Sequence, residues 1–510
     1  MLKTESYKRG IIKSTVLNVI VKCISFITTL SIAYYFGITV ETDLYFYVFS
    51  TITLIASLIN GMDLTVIIPE GMQLEQKQGR AAAMLFYNSF AYLYLIIGVV
   101  LFVILFLFSV PVYSTVSAFK NTVLNEHRYL LIVSSTLPLF LILSNYLTSV
   151  LTTLKYFTAP LIANGIAYIL ALTALTIFHK SSGISAVFIG LVAGYILNVI
   201  LLLTFMYLKL NWRFGFSVKD LSKRVKKNLL SVQLGNLATF AFNYGIIILL
   251  SSLAAGVYSA YNYSMQVVNI PIIFIVAQTS SVAGIKFNEL AARRLHTELN
   301  KIFQDSIGVL LFLIVPFCFI TYLYTDVIVN FLFLRGGFTK ESAEKVVLFL
   351  KYLIFLVPFL TVNTFISRIM TAEKKVSHSF YFQLWFNVVL LLLLVIATRY
   401  YAEYGFIFTM LFAYFIYITI ACIFLFKWLT PFIIYPNVLK SLAVILLYNI
   451  PLIFIYYKIF GTEQTVVNVI LIACSYYLAL IAANHFVKIN NSTHFHFSSI
   501  LKLIALKIKL

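Results

Sequence analysis

Long apolar runs separated by short polar breaks divide the chain into fourteen segments, at about 15–36, 44–69, 81–108, 129–152, 157–178, 184–208, 229–251, 256–282, 306–325, 347–367, 380–398, 406–426, 441–457 and 465–487. Each approaches or exceeds the roughly 20 residues that a helix needs to cross the hydrocarbon layer. The pattern predicts an all-α polytopic membrane protein with about 14 transmembrane helices. The most basic connection, residues 209–228 with the run "SKRVKKN", follows the sixth segment and splits the first twelve into two sixes. The expected organisation is an N-terminal six-helix lobe (1–208), a basic cytoplasmic linker (209–228), a C-terminal six-helix lobe (229–427), and two extra helices with a basic tail (428–510). The linker also suits an amphipathic helix resting on anionic headgroups.

The two lobes share a faint pseudo-symmetry. "FGITVETDLYFYV" joins spans one and two, and "AAGVYSAYNYSMQVV" joins spans seven and eight at the same place in the second half. Polar side chains follow the same plan, at helical spacing. Span one carries Asn18, Lys22, Ser25 and Thr29; span two carries Ser50, Thr53, Ser57 and Asn60. Span seven carries Gln233, Asn236 and Asn243; span eight carries Tyr258, Asn262, Gln266 and Asn269. Such residues either glue helices together through hydrogen bonds or face a wet interior. Four stripes at matching places favour a central cavity, and repeated halves around a midplane site are a transporter architecture.

Composition agrees. Of 510 residues, 62% are hydrophobic and 11% charged, against about 45–50% and 25% in soluble domains. Lys and Arg number 37 against 17 Asp and Glu, a net charge of +20. In a soluble chain that excess would suggest nucleic acid. Here 27 of the cations fall in alternate loops on the side shared by both termini and only 8 in the opposite loops. Basic loops stay cytoplasmic, so the charges predict cytoplasmic termini, an even number of spans and a membrane-lipid rather than nucleic-acid environment. The basic N-terminus with Lys8, Arg9 and Lys13 mimics a signal peptide, but Lys22 interrupts the apolar run, so an uncleaved first span is expected.

Within the spans, Lys22 offers a point charge to an anionic group such as phosphate or snorkels to the surface. Thr42 and Asp43 open span two, where an acidic cap stabilises a helix. Asp63, near the inner end of that span, is a candidate to titrate or pair with a loop cation. Lys351 and Arg368 are expected to be interface anchors. All four cysteines lie in apolar runs and read as small hydrophobes. His494 and His496 in "THFHF" lack a third ligand, so no metal is expected. HExxH, P-loop, GxSxG and GxGxxG patterns are absent, and the chain is read as having no cofactor and no enzyme site. The external loops 109–128 and 326–346 are small for a membrane glycosyltransferase.

Several stretches resemble the MurJ-type (MviN) lipid II flippase family: "AYYFGITVETDLYFYVF" (33–49), "YSMQVVNIP" (263–271), "FLFLRGGFTKESAEKV" (331–346) and "MTAEKKVSHS" (370–379). The resemblance covers about 15–400. Its superfamily also holds Wzx-like polysaccharide flippases and MATE-type exporters. It implies fourteen spans, location in a bacterial inner membrane, and an alternating-access cavity that turns over an undecaprenyl-pyrophosphate-linked glycan. The family's first-span basic residue falls on Lys22 and its loop aspartate on Asp43. Three further cavity arginines fall on Thr28, Ala56 and Gln266, which cannot grip pyrophosphate bidentately. That departure points to a less cationic, more hydrogen-bonding cavity suited to a different sugar headgroup. Asn18, Ser25, Thr29, Ser57, Asn60, Gln233, Asn236, Asn243, Asn262, Gln266 and Asn269 are the candidate contacts to sugar, with Lys22 and Asp43 beside them. The alternative is a cation-coupled exporter of the MATE type. Monovalent-cation coupling fits either, but the exporter calls for a carboxylate in mid-span, which hydropathy does not place.

Overall fold

Inside a bilayer no water satisfies backbone N–H and C=O groups, so each crossing must pair them within a helix. The computed structural model describes residues 7–215 and 223–487, and they form helices, π-turns and short connections without a strand. Residues 216–222 of the basic linker, with Lys219, and the tail with His494 and His496 lie outside the described residues. The chain divides into two compact units: Met1–Ser259 with Arg335–Phe338, and Ala260–Leu334 with Thr339–Leu510.

The first unit contains α1 (Tyr7–Phe36), α2 (Val40–Asn60), a π-turn (Asp63–Ile67), α3 (Ile68–Gln78), α4 (Arg80–Leu107), α5 (Ser109–Val116), α6 (Asn121–Glu126), α7 (Arg128–Ser134), α8 (Leu137–Thr153), α9 (Thr158–Ser182), α10 (Ser185–Leu210) and α11 (Lys223–Ser251). Helices α9 and α10 pack along their length, with α1 against α9 and α8 against α10. Small residues set that closeness. In the Gly190–Gly194 repeat of α10, a Cβ on Gly194 would lie 2.5 Å from the Cα of Ala167, the small-residue packing that brings membrane helices together. One buried amide then ties three helices: Ser144 Oγ of α8 donates to Asn198 Oδ1 of α10 at 2.8 Å, and Asn198 Nδ2 donates to Asn164 Oδ1 of α9 at 2.8 Å. The external loop read at 109–128 is itself helical, as α5 and α6.

The helix of span seven, α11, packs along α2, and both lie in the first compact unit, whose main run ends at Ser259. The loop 335–338 also belongs to the first unit, where Gly337 donates its N–H to the Tyr34 carbonyl at 2.7 Å.

The second unit contains most of α12 (Val257–Pro271), a π-turn (Ile272–Val276), α13 (Ala277–Ala292), α14 (His296–Leu323), α15 (Thr325–Phe333), α16 (Lys340–Leu353), α17 (Leu356–Ala372), α18 (Val376–Phe424), a π-turn (Leu425–Leu429), α19 (Pro436–Phe460) and α20 (Val466–Val487). Its packing runs through α13, α14 and α17, with α19 against α14. Ile320, Tyr324, Val469, Ile472 and Tyr476 seat α20 in a buried cluster. The anchors expected at span ten lie in this unit: Lys351 Nζ stands 5.3 Å from the Tyr322 ring centre, and the Arg368 side chain lies against Gly284.

The long helix α18 is a hairpin. Ala402 adopts φ 48° and ψ −131°, and a Cβ on Gly405 would lie 2.1 Å from the Ala397 carbonyl; residues eight apart in a straight helix are separated by about 12 Å. Its arms pack antiparallel, with Phe386 on Tyr417 at 4.1 Å and Phe382 on Phe424 at 5.8 Å between ring centres. Among the described residues, 12 helices are long and apolar enough to cross a membrane, or 13 with α16 and α17, bent by 47°, as one span. The runs Val40–Gln78 and Val257–Ala292 extend to 39 and 36 residues, beyond the segments hydropathy marks. Each is interrupted by a π-turn, at Asp63–Ile67 and Ile272–Val276.

Candidate functional site: a polar seam on span two

Thr39, not Asp43, caps α2. Its hydroxyl accepts the Thr42 N–H at 3.2 Å, and Thr42 Oγ1 accepts the Thr39 N–H at 2.8 Å, a reciprocal capping box. Asp43 stands one residue too far along to cap its own helix. It is buried, and its carboxylate accepts the N–H groups of Gly256 (2.5 Å) and Ser259 (2.7 Å) and the Ser259 hydroxyl (2.6 Å). The carboxylate therefore serves the start of α12.

At the other end of α2 the structure gathers several expected polar residues. Gln233 Nε2 of α11 donates to the Leu58 carbonyl at 3.1 Å. Asn236 packs so closely on Gly61 that a Cβ there would lie 2.2 Å from its Nδ2. Asn60 Nδ2 donates to Asp63 Oδ2 at 3.1 Å and to the Ile142 carbonyl of α8 at 3.2 Å. Asp63 Oδ1 accepts the Tyr94 hydroxyl of α4 at 2.6 Å. Asn60 Oδ1, Gln233 Oε1 and Asn236 Nδ2 are buried with no hydrogen-bond partner among the described residues. Asp63 is 1% exposed; it lies inside the apolar run Val40–Gln78, and its bonded partners are Tyr94 and Asn60 rather than a loop cation. Tyr94 was invisible in sequence, being one aromatic in an apolar run; only the contact of α4 with the π-turn reveals it.

The remaining stripe residues lie on α1, α2, α11 and α12. On α1, Lys22 is exposed, Asn18 and Ser25 are half-buried, and buried Thr29 donates to the Ser25 carbonyl of its own helix at 3.2 Å. Ser57 is exposed and Asn243 half-buried. Asn262, Gln266 and Asn269 are half-buried on α12 in the second unit. The three positions where the family's arginines would fall hold a buried Thr28, whose hydroxyl donates to the Ile24 carbonyl at 3.0 Å, a buried Ala56 and a half-buried Gln266.

Among the described residues, the long runs Val40–Gln78 and Val257–Ala292 of this helical membrane bundle are each interrupted by a π-turn. Over 94% of its length the chain superposes on all of a solved structure described as lipid II flippase MurJ in an inward closed conformation, with a TM-score of 0.77 and 17% identity. An inward-facing MATE-family multidrug resistance transporter matches with a TM-score of 0.60 at 16% identity, covering 79% of this chain and 96% of that one. A MOP-superfamily transporter from Pyrococcus furiosus matches with a TM-score of 0.58 at 14% identity, covering 81% and 95%.

The family profile described as "Lipid II flippase MurJ" matches residues 32–476, and the chain belongs to that family. A probable lipid II flippase MurJ of Borreliella burgdorferi is 22% identical over 383 residues, which are 72% of this chain and 73% of the relative.

Proposed function

We propose that the chain is a flippase that moves an undecaprenyl-pyrophosphate-linked oligosaccharide or peptidoglycan precursor across a bacterial inner membrane by alternating access. The match to the lipid II flippase family across residues 32–476 carries this reading. Lys22, exposed on α1, contacts the phosphate as a point charge, while the amides of Asn236, Asn243, Asn262, Gln266 and Asn269 bond sugar hydroxyls. Counting the α18 hairpin as two crossings and the bent α16–α17 pair as one gives the even total that the loop charges call for, with both termini in the cytoplasm. An inside-negative potential assists export of an anion by about 2.3 kcal/mol per charge per 100 mV. Depletion of the protein in its own cell should trap lipid-linked sugar on the inner leaflet, and Lys22→Met should reproduce the block. Normal delivery under depletion overturns the proposal; normal delivery with Lys22→Met overturns the phosphate role alone.

A second reading, cation-coupled export of small molecules, is favoured by the buried carboxylate of Asp63 within the helical run Val40–Gln78 and by the fold shared with MATE-family transporters. Efflux of a cationic dye that depends on this protein would support it over the first.

A further inference from the structure

We propose that Asp63 is a proton-binding site of the first unit, and that its protonation exchanges for the hydrogen bond that ties α2 to α8. The carboxyl group is 1% exposed, within an apolar span, and its partners are neutral: the Tyr94 hydroxyl on α4 and the Asn60 amide on α2. Among the titratable groups on the helices packed around the π-turn, Tyr94 touches the carboxylate, and Tyr146 of α8 stands behind it, its ring 5.0 Å from that of Tyr94. Helix α11 brings the amides of Gln233 and Asn236 to the adjoining turn of α2. No Lys, Arg or His among the described residues bonds the carboxylate. A lone buried carboxylate is costly in such surroundings, and the charge is relieved by taking up a proton.

The neighbouring amide is arranged to register that event. With Asp63 ionised, Asn60 Nδ2 bridges Asp63 Oδ2 and the Ile142 carbonyl of α8, leaving Asn60 Oδ1 buried with no partner among the described residues. A protonated Asp63 carries an O–H that needs an acceptor. A half-turn of the Asn60 amide supplies Oδ1 and withdraws Nδ2 from Ile142. One O–H bond forms, the proton comes from water and returns to it, and the tie to α8 is lost or regained. The π-turn beside it gives the backbone local slack, since the Met62 carbonyl accepts both the Val66 N–H (3.0 Å) and the Ile67 N–H (3.2 Å).

Proton binding stands apart from the cargo; its use to drive transport rests on the flippase reading. The test uses the full-length protein in liposomes without substrate, followed by infrared difference spectroscopy on changing pH. A carboxyl C=O band that titrates in the natural protein, is lost in Asp63→Asn and is displaced in Asp63→Glu is expected, together with an amide band that moves in step and is lost in Asn60→Leu. Natural-protein spectra without a titrating carboxyl band, or a band that survives in Asp63→Asn, overturn the site. A carboxyl band with no accompanying amide change overturns the exchange with α8. With the site established, a pH gradient should stimulate movement of a lipid-linked precursor and the stimulation should vanish in Asp63→Asn. A precursor that moves equally with and without the gradient overturns coupling while leaving the flippase reading intact, whereas one that never moves overturns that reading and not the proton site.

Discussion

The Asp43 carboxylate of α2 holds the backbone N–H of Gly256, 213 positions later, at 2.5 Å. It thereby fixes where α12 begins, taking the place of a local capping side chain. Asp43→Ala leaves buried N–H groups of Gly256 and Ser259 unpaired, at about 1–3 kcal/mol for each unsatisfied group. The expected outcome is a clearly lower melting temperature in detergent, with Asp43→Asn losing less than Asp43→Ala.

Gly194 tolerates no side chain, because its Cβ would meet the Cα of Ala167 at 2.5 Å, and backbone cannot swing aside. Gly194→Leu forces α9 and α10 apart, where overpacking costs about 1–3 kcal/mol or more. Size-exclusion chromatography of the solubilised protein should show a sharply reduced folded peak, and an unchanged peak would refute this packing.

Asn198 is 0% exposed and joins α8, α9 and α10 through Ser144 and Asn164. Interhelical hydrogen bonds in membranes contribute about 0.6–2 kcal/mol. Asn198→Leu removes two of them and strands both partners, so a loss of about 1–4 kcal/mol is expected by unfolding under steric trapping. Combining it with Ser144→Ala should cost less than the two separate losses added together.

Ala402 occupies a backbone region that side chains rarely adopt, with φ 48° and ψ −131°. Such strain costs about 1–3 kcal/mol for a residue with a Cβ. Ala402→Gly relieves it and should raise the melting temperature while the two arms stay packed, as judged by a disulfide between cysteines placed at the facing positions Phe386 and Tyr417.

Much of the architecture was legible from hydropathy alone. The all-helical bundle, the membrane environment and the separate apolar runs follow from transfer energetics that each residue carries wherever it sits. The stretch "AYYFGITVETDLYFYVF" was legible in another way, through its resemblance to a known family, and its capping box and Asp43 work over short and long range together. The turn at Ala402 was legible as well, since hydropathy already broke the run between 398 and 406.

Other features depended on which backbones approach which. Hydropathy gives no sign that Gln233, Asn236 and Tyr244 bind the helix of span seven to α2, the last through a 2.6 Å bond to the Tyr47 hydroxyl. Asp63 lay at the edge of a hydropathy segment; the π-turn and α3 extend that span and bury it. A polar residue's periodicity shows which face of a helix it occupies, whereas its partner is set by contacts far away in sequence. The chain by itself therefore determined what could enter the membrane, and the tertiary structure decided whether each polar group meets another helix, its own backbone or an open surface.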